Sequence, residues 1–201
     1  MEQLSFGLPA LPRATVRLLF FALRPDAAVN AEIDRRLPVW RGRLGLRGKA
    51  MAPARRHVSL LVLGPRTRLP DGHVERVCSA AAGFSCPPFE IRFDRIMRFG
   101  GNSIVLTGGN DNPATDAFRQ GLATRLRNVL PPQHGRFTAH MTLLHDQAAS
   151  FATSGIEPLG WIVRDFVLIE SHRGEGLHVE VGRWPLVHGV GVPAIDTLAA
   201  T

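Results

Sequence analysis

Long apolar stretches are missing from this 201-residue chain. Leu18 to Leu23, bracketed by Arg17 and Arg24, falls far short of the roughly 20 residues a membrane-spanning helix needs, and suits a buried strand. The first residues carry Glu2 where an export signal needs a basic stretch, and no small-residue cleavage pattern follows the apolar run. The expected location is therefore the cytoplasm, with no membrane partner. Cysteine is scarce. Cys78 and Cys86 are the only two, and their spacing suggests neither a metal knuckle nor a redox pair, so both are expected to be reduced and structural. Lysine is nearly absent: Lys49 is the one lysine among 24 basic residues, and the formal net charge is +7. Arginine forks hold phosphates bidentately and stack on bases, which suits a polyanionic partner such as RNA. A genome of GC-rich codons would raise arginine in the same way, so the charge by itself decides little.

What is present is an ordinary hydrophobic fraction of 45%, enough for one core. Residues 1–188 are expected to form a single two-lobed domain, and residues 189–201, small and without pattern, a loosely held tail. Val16 to Leu23 reads as a strand. Pro25-Asp26 then starts a helix through Val29, Ile33 and Leu37. Residues 41–53, rich in glycine and basic side chains, read as an exposed loop. His57 to Leu63 is a second strand, stopped by Gly64-Pro65. Val74 to Ala82 predicts a helix with Gly83 as a left-handed cap. Phe89, Ile91 and Phe93 alternate with polar residues and join Ser103 to Thr107 across Gly100-Gly101-Asn102 as a hairpin. Pro113 to Val129 predicts another helix, Phe137 to Leu144 a strand, and Ile162 to Glu170 with Leu177 to Val181 a closing hairpin. Helices and hairpins interleave, so the class is α+β with mostly antiparallel sheet. The two halves echo each other faintly, as a weak internal duplication.

Two segments carry the chemistry: His57-Val58-Ser59-Leu60 and His140-Met141-Thr142-Leu143. Strand side chains alternate, so His57 and Ser59 share one face while Val58, Leu60 and Val62 take the other; His140 and Thr142 oppose Met141 and Leu143 in the same way. On the order of one His-x-Ser/Thr pair is expected from composition alone. Both, however, lie in apolar strand-like runs, one in each half of the chain, where a pseudo-symmetric fold brings them face to face. Two imidazoles that titrate near neutrality can take a proton from an attacking water and give one to a departing oxygen, with neighbouring hydroxyls holding a phosphoryl oxygen. Arg136 shares strand parity with His140 and is a candidate phosphate contact. Phe137 is a candidate base platform, although a core role fits it better. Of Arg55 and Arg56, at most one should face the groove. His145 is a plausible supporting group. His73, His134, His172, His178 and His188 read as surface or turn residues. A metal centre built on His134, His140 and His145 fits no compact ligand spacing, and only Asp146 adds a carboxylate nearby.

These segments resemble the 2H phosphoesterases, and within them the RNA 2',3'-cyclic phosphodiesterases once called 2'-5' RNA ligases. The likeness extends to Arg17-Leu18-Leu19-Phe20-Phe21-Ala22-Leu23 as first strand and to Phe89 to Phe99 with Ile104-Val105-Leu106 as middle hairpin. Phe166 to Ser171 with Arg183-Trp184-Pro185-Leu186 resemble the closing strands. Three positions depart from the family pattern: Ser59 replaces a usual threonine, Ala139 a usual proline and His145 a common arginine. The resemblance implies two pseudo-symmetric lobes around a central cleft and His57 and His140 as the acid and base. It further implies Ser59 and Thr142 on the phosphate, no metal or other cofactor, and a 2'-phosphate product. RNA ends or a small nucleotide with a cyclic phosphate are the implied partners, and a monomer is expected. A non-catalytic RNA-binding protein on the same fold, and weak 2'-5' ligation, are the alternatives.

Overall fold

The computed structural model describes residues 16–108, 112–133 and 136–187; the tail 189–201, His134 and His188 lie outside them. Strand β1 (Arg17–Leu23) leads into helix α1 (Ala27–Leu44), a short β2 (Lys49–Ala50) and β3 (Val58–Pro65). Helix α2 (His73–Ala82), the hairpin β4 (Phe89–Phe99) and β5 (Ser103–Thr107), and α3 (Pro113–Arg125) follow. The chain closes with β6 (His140–His145), β7 (Ser154–Val163), β8 (Asp165–His172) and β9 (Leu177–Pro185). Among the described residues the nine strands form one sheet in the order β7-β4-β5-β6-β3-β1-β8-β9, with β2 on β6. Every pairing is antiparallel.

That order is two four-strand halves meeting in the middle. From either edge inward the path ends on a motif strand, β6 from one side and β3 from the other. A single register pair, Val58 with Met141, joins them, and both residues are fully buried. All three helices feed the same core: Val29, Ile33, Leu37 and Trp40 from α1, Val74, Val77 and Ala81 from α2, Phe118 and Leu122 from α3. A second, smaller cluster of Phe20, Ala22, Val167 and Ile169 lies apart from it. These residues are register partners on β1 and β8, Phe20 with Ile169 and Ala22 with Val167. By strand alternation they occupy the opposite face from Leu19, Phe21 and Leu23.

Three local expectations are revised. Helix α1 begins as expected, with the Asp26 carboxylate accepting from the Val29 amide at 2.8 Å, but runs past Pro38 to Leu44. Proline there removes one i to i−4 hydrogen bond, and burial of Trp40 offsets that loss. The helix stops at Gly45 in the left-handed region, φ 65°, so the expected loop over residues 41–53 is part helix and part β2. Gly83 is not left-handed (φ −88°); a Cβ there would collide with the Arg125 guanidinium, which donates to the Ala80 carbonyl at 3.1 Å. Strand β7 was not anticipated, because Gly155, Pro158 and Gly160 dilute its pattern. Its Leu159, Trp161 and Val163 are nonetheless buried, and its place at the sheet edge tolerates a proline. Among the described residues no helix is long and apolar enough to cross a membrane.

Candidate active site

The seam between β3 and β6 sets the geometry. With Val58 opposite Met141, one antiparallel step to either side places His57 across from Thr142 and Ser59 across from His140. Each imidazole thus faces the other strand's hydroxyl residue. Val58 and Met141 are sealed in the core, while the four polar residues are half-buried on the other face. Both rings are fixed by one device. His57 Nδ1 lies 2.7 Å from the Arg55 carbonyl and His140 Nδ1 lies 2.8 Å from the Thr138 carbonyl. A carbonyl only accepts, so Nδ1 carries the hydrogen in each ring and Nε2 is left for proton exchange.

The two motif strands share a backbone irregularity. Leu60 has no partner in the β1–β3 register, where Phe21 pairs Leu61 and Ala22 pairs Ser59. Leu143 has none in the β5–β6 register, where Ile104 pairs Leu144 and Val105 pairs Thr142. Each motif hydroxyl is therefore followed at once by a bulge, which bends the strand and shifts the alternation beyond it. The consequence corrects the expected facing of β3: Leu61 is buried and Val62 is 42% exposed, on the side of Ser59. The matching bulge turns His145 onto the face of Thr142, with its Nδ1 3.3 Å from Ser103 Oγ.

Aromatic rings back both imidazoles. Phe99 stacks on His140 with centroids 4.1 Å apart, and Phe20 lies 5.0 Å from His57. Burial pushes the His57 pKa down; the bond to the Arg55 carbonyl opposes this, and the charges of Arg24, His140 and Arg55 push it down further. The two motif histidines are thus electrostatic neighbours. His178, expected at the surface, stands edge-on to His57 at 5.1 Å and near Phe20 at 5.9 Å. It pairs with Ser171, as Glu180 does with Ile169, which puts it on the face of the smaller cluster. Its Nδ1 is buried without a hydrogen-bond partner. Burial first, then the charges of His57, Arg55 and Arg24, lower its pKa to about 4.

A depressed histidine pKa means the unfolded chain takes up the proton first as pH falls. Stability held above about pH 6.5 is then lost on going down towards pH 4. His178→Phe keeps a flat ring and removes the titration, so its stability, measured by urea unfolding at pH 7 and pH 4.5, should fall less than that of the parent. An equal fall would argue against a neutral His178.

The remaining candidates separate. Arg56 is 2% exposed, pairs with Asp34 and donates to the Asn30 carbonyl at 3.1 Å, a structural role. Arg55 is the member of that pair whose charge acts on His57 and His178. Arg24 was not singled out in the sequence; it donates to the Ala54 carbonyl at 3.3 Å, and the Nε atoms of Arg24 and Arg55 are both buried without a partner. Arg136 is exposed in an irregular segment, since β6 begins only at His140, and strand parity does not apply to it. Phe137 packs against the core under the Arg119 guanidinium, 4.7 Å from its ring centroid. His172 is half-buried at the end of β8, beside the turn, with its Nε2 2.9 Å from Glu170. Asp146 accepts from the amides of Arg47, Gly48, Ala148 and Ala149, and these backbone donors hold its carboxyl below the usual range. Among the described residues no group of three or more His, Cys, Asp or Glu is arranged to hold a metal ion.

With this geometry in place, the family can be read from the sequence as a whole. Residues 25–175 match the model of the 2'-5' RNA ligase superfamily. The chain belongs to that superfamily. Among solved structures, apo Escherichia coli LigT is similar with a TM-score of 0.69 at 21% identity, covering 87% of this chain and 100% of that one. Its complex with 3'-AMP gives 0.66 at 21% identity over the same shares. TT0787 of Thermus thermophilus gives 0.68 at 18%, covering 84% and 97%. No curated protein matches the chain. At these identities the likeness carries the fold: the α+β arrangement of two mirrored half-sheets is that of LigT, and the sequence resemblance to the 2H phosphoesterases agrees with the superfamily match.

Proposed function

We propose that this 2'-5' RNA ligase superfamily member opens 2',3'-cyclic phosphate ends of RNA or small nucleotides to 2'-phosphomonoesters, without a metal, using His57 and His140 as acid and base. The observation that carries this reading is the doubled device at the seam. Two imidazoles, each with Nδ1 tied to a main-chain carbonyl and Nε2 left for proton exchange, face each other's hydroxyl residues across one strand pair. Opening the ring forms a bond from water oxygen to phosphorus and breaks the bond from phosphorus to O3'. One proton leaves the water and one arrives on O3', on opposite sides of the phosphorus. Burial and neighbouring positive charge favour the neutral form of His57, the form that accepts the proton from water; His140 is then the donor to O3'. Ser59 and Thr142 donate to the non-bridging oxygens, where charge develops. Arg24 and Arg55 add the field that draws an anion in. The structure of LigT with 3'-AMP concerns that protein, and is consistent with a nucleotide in this groove.

The test is product analysis. Cytidine 2',3'-cyclic phosphate, incubated with the protein in excess chelator, should yield cytidine 2'-phosphate and no 3' isomer, resolved by chromatography or phosphorus NMR. Loss of turnover on chelation, restored by zinc or manganese, would overturn the metal-independent mechanism.

A further inference from the structure

Next to the histidine groove a cavity of about 380 Å³ opens between β2, the end of β6 and the β8–β9 turn, lined by Lys49, Met51, Arg55, His145 and Glu175 among others. Three of these are basic and come from separate elements. Lys49 is the register partner of His145, so ammonium and imidazole bracket one wall. Arg55 forms the other and extends to the β8–β9 turn, where a Cβ on Gly176 would sit 3.4 Å from its Nη1. The Arg55 Nε is buried without an acceptor, and a donor withdrawn from water in this way is costly to leave unmade. The Glu175 carboxylate lies 3.3 Å from His172 Nδ1, an engagement that tempers its opposition to an anion. The cavity is coupled to the groove through Arg55: its carbonyl holds His57 Nδ1 at 2.7 Å, and its charge acts on both His57 and His178. His145 lies on the same strand and face as Thr142.

We propose that this cavity is a second phosphate subsite, taking the 5'-phosphate of the nucleotide whose cyclic phosphate occupies the groove. The inference rests on the reading of the groove given above and specifies its substrate class. Arg55 offers a fork to a tetrahedral oxyanion and Lys49 a point charge. A nucleoside cyclic phosphate leaves the subsite empty. A nucleotide with a 5'-phosphate, or the end of an RNA strand, fills it.

The experiment uses the full chain and three probes: cytidine 2',3'-cyclic phosphate, the same compound bearing a 5'-phosphate, and a dinucleotide ending in the cyclic phosphate. With one charge-assisted hydrogen bond gained, kcat/KM should rise about tenfold or more when the 5'-phosphate is added. Lys49→Glu should bring the ratio of the two towards one, and Lys49→Arg should keep it. Lys49 is exposed, so neither change threatens the fold. A gain for both phosphorylated probes assigns the subsite to any phosphate at that position. A gain for the dinucleotide alone, abolished by Lys49→Glu, assigns it to an RNA strand. A ratio near one in the parent, or a ratio unmoved by Lys49→Glu, overturns the subsite while leaving the groove intact. Absence of turnover with all three probes overturns the groove itself.

Discussion

Alanine at His57 or at His140 is expected to lower turnover of a 2',3'-cyclic mononucleotide by roughly 10²–10⁴-fold, with affinity for the 2'-phosphate product retained. Each ring is half-buried and contributes little to the main core, so both variants should fold. In the proposed mechanism each holds one of the two proton positions, and neither hydroxyl can replace it at neutral pH. Because the two act as a unit, the double variant should be little worse than the worse single. The acid limb of the rate profile should report the neutral form of one imidazole and the alkaline limb the protonated form of the other, as macroscopic values of a coupled pair. Steady-state rates across pH, with binding followed by calorimetry, check all of this. Unchanged rates in both single variants would remove the histidines from the mechanism.

Thr142→Val and Ser59→Ala are expected to lower kcat by about 10²-fold each, towards 10³ at most, with a smaller effect on KM. Valine preserves the shape of threonine at a half-buried strand position and removes only the hydroxyl, so the fold has no reason to change. In the proposed mechanism the hydroxyls strengthen their bonds as negative charge grows on the phosphoryl oxygens, a gain realised in the transition state more than in the bound ground state. The mirrored bulges predict that the two substitutions have similar effects. They also predict that Thr142→Ser, which makes the second motif match the first, keeps most of the activity. Rates split into kcat and KM decide the point; a loss confined to KM would make these hydroxyls binding groups only.

Much of this protein was legible along the chain. Alternation within β4 and β5, the glycine turn at residues 100–102 and the asparagine that closes it marked a hairpin, because those signals are local. The His-x-Ser and His-x-Thr segments stood out because an imidazole and a hydroxyl two residues apart inside an apolar strand must share a face. Strand β7 was lost because its glycines and proline break the pattern that its buried Leu159, Trp161 and Val163 otherwise keep. The facing of Val62 is not legible in the sequence because alternation is a count, and Leu60 interrupts the count without any composition that announces a bulge. His178 reads as a surface or turn residue because it lies two residues past the Gly176 turn, and its ring contacts come from β1 and the segment before β3.

The residues by themselves determined the two imidazole–hydroxyl pairs, the surplus of arginine and the α+β class, since each follows from side-chain chemistry or short-range periodicity. Only the folded sheet decided that β3 and β6 would lie side by side in opposite directions, that each histidine would face the other motif's hydroxyl, and that Arg24, Arg55 and His178 would gather beside His57. Those are long-range pairings, fixed by which apolar faces close on one another and by two bulges that retune the alternation, and they become visible only once the chain has been brought together.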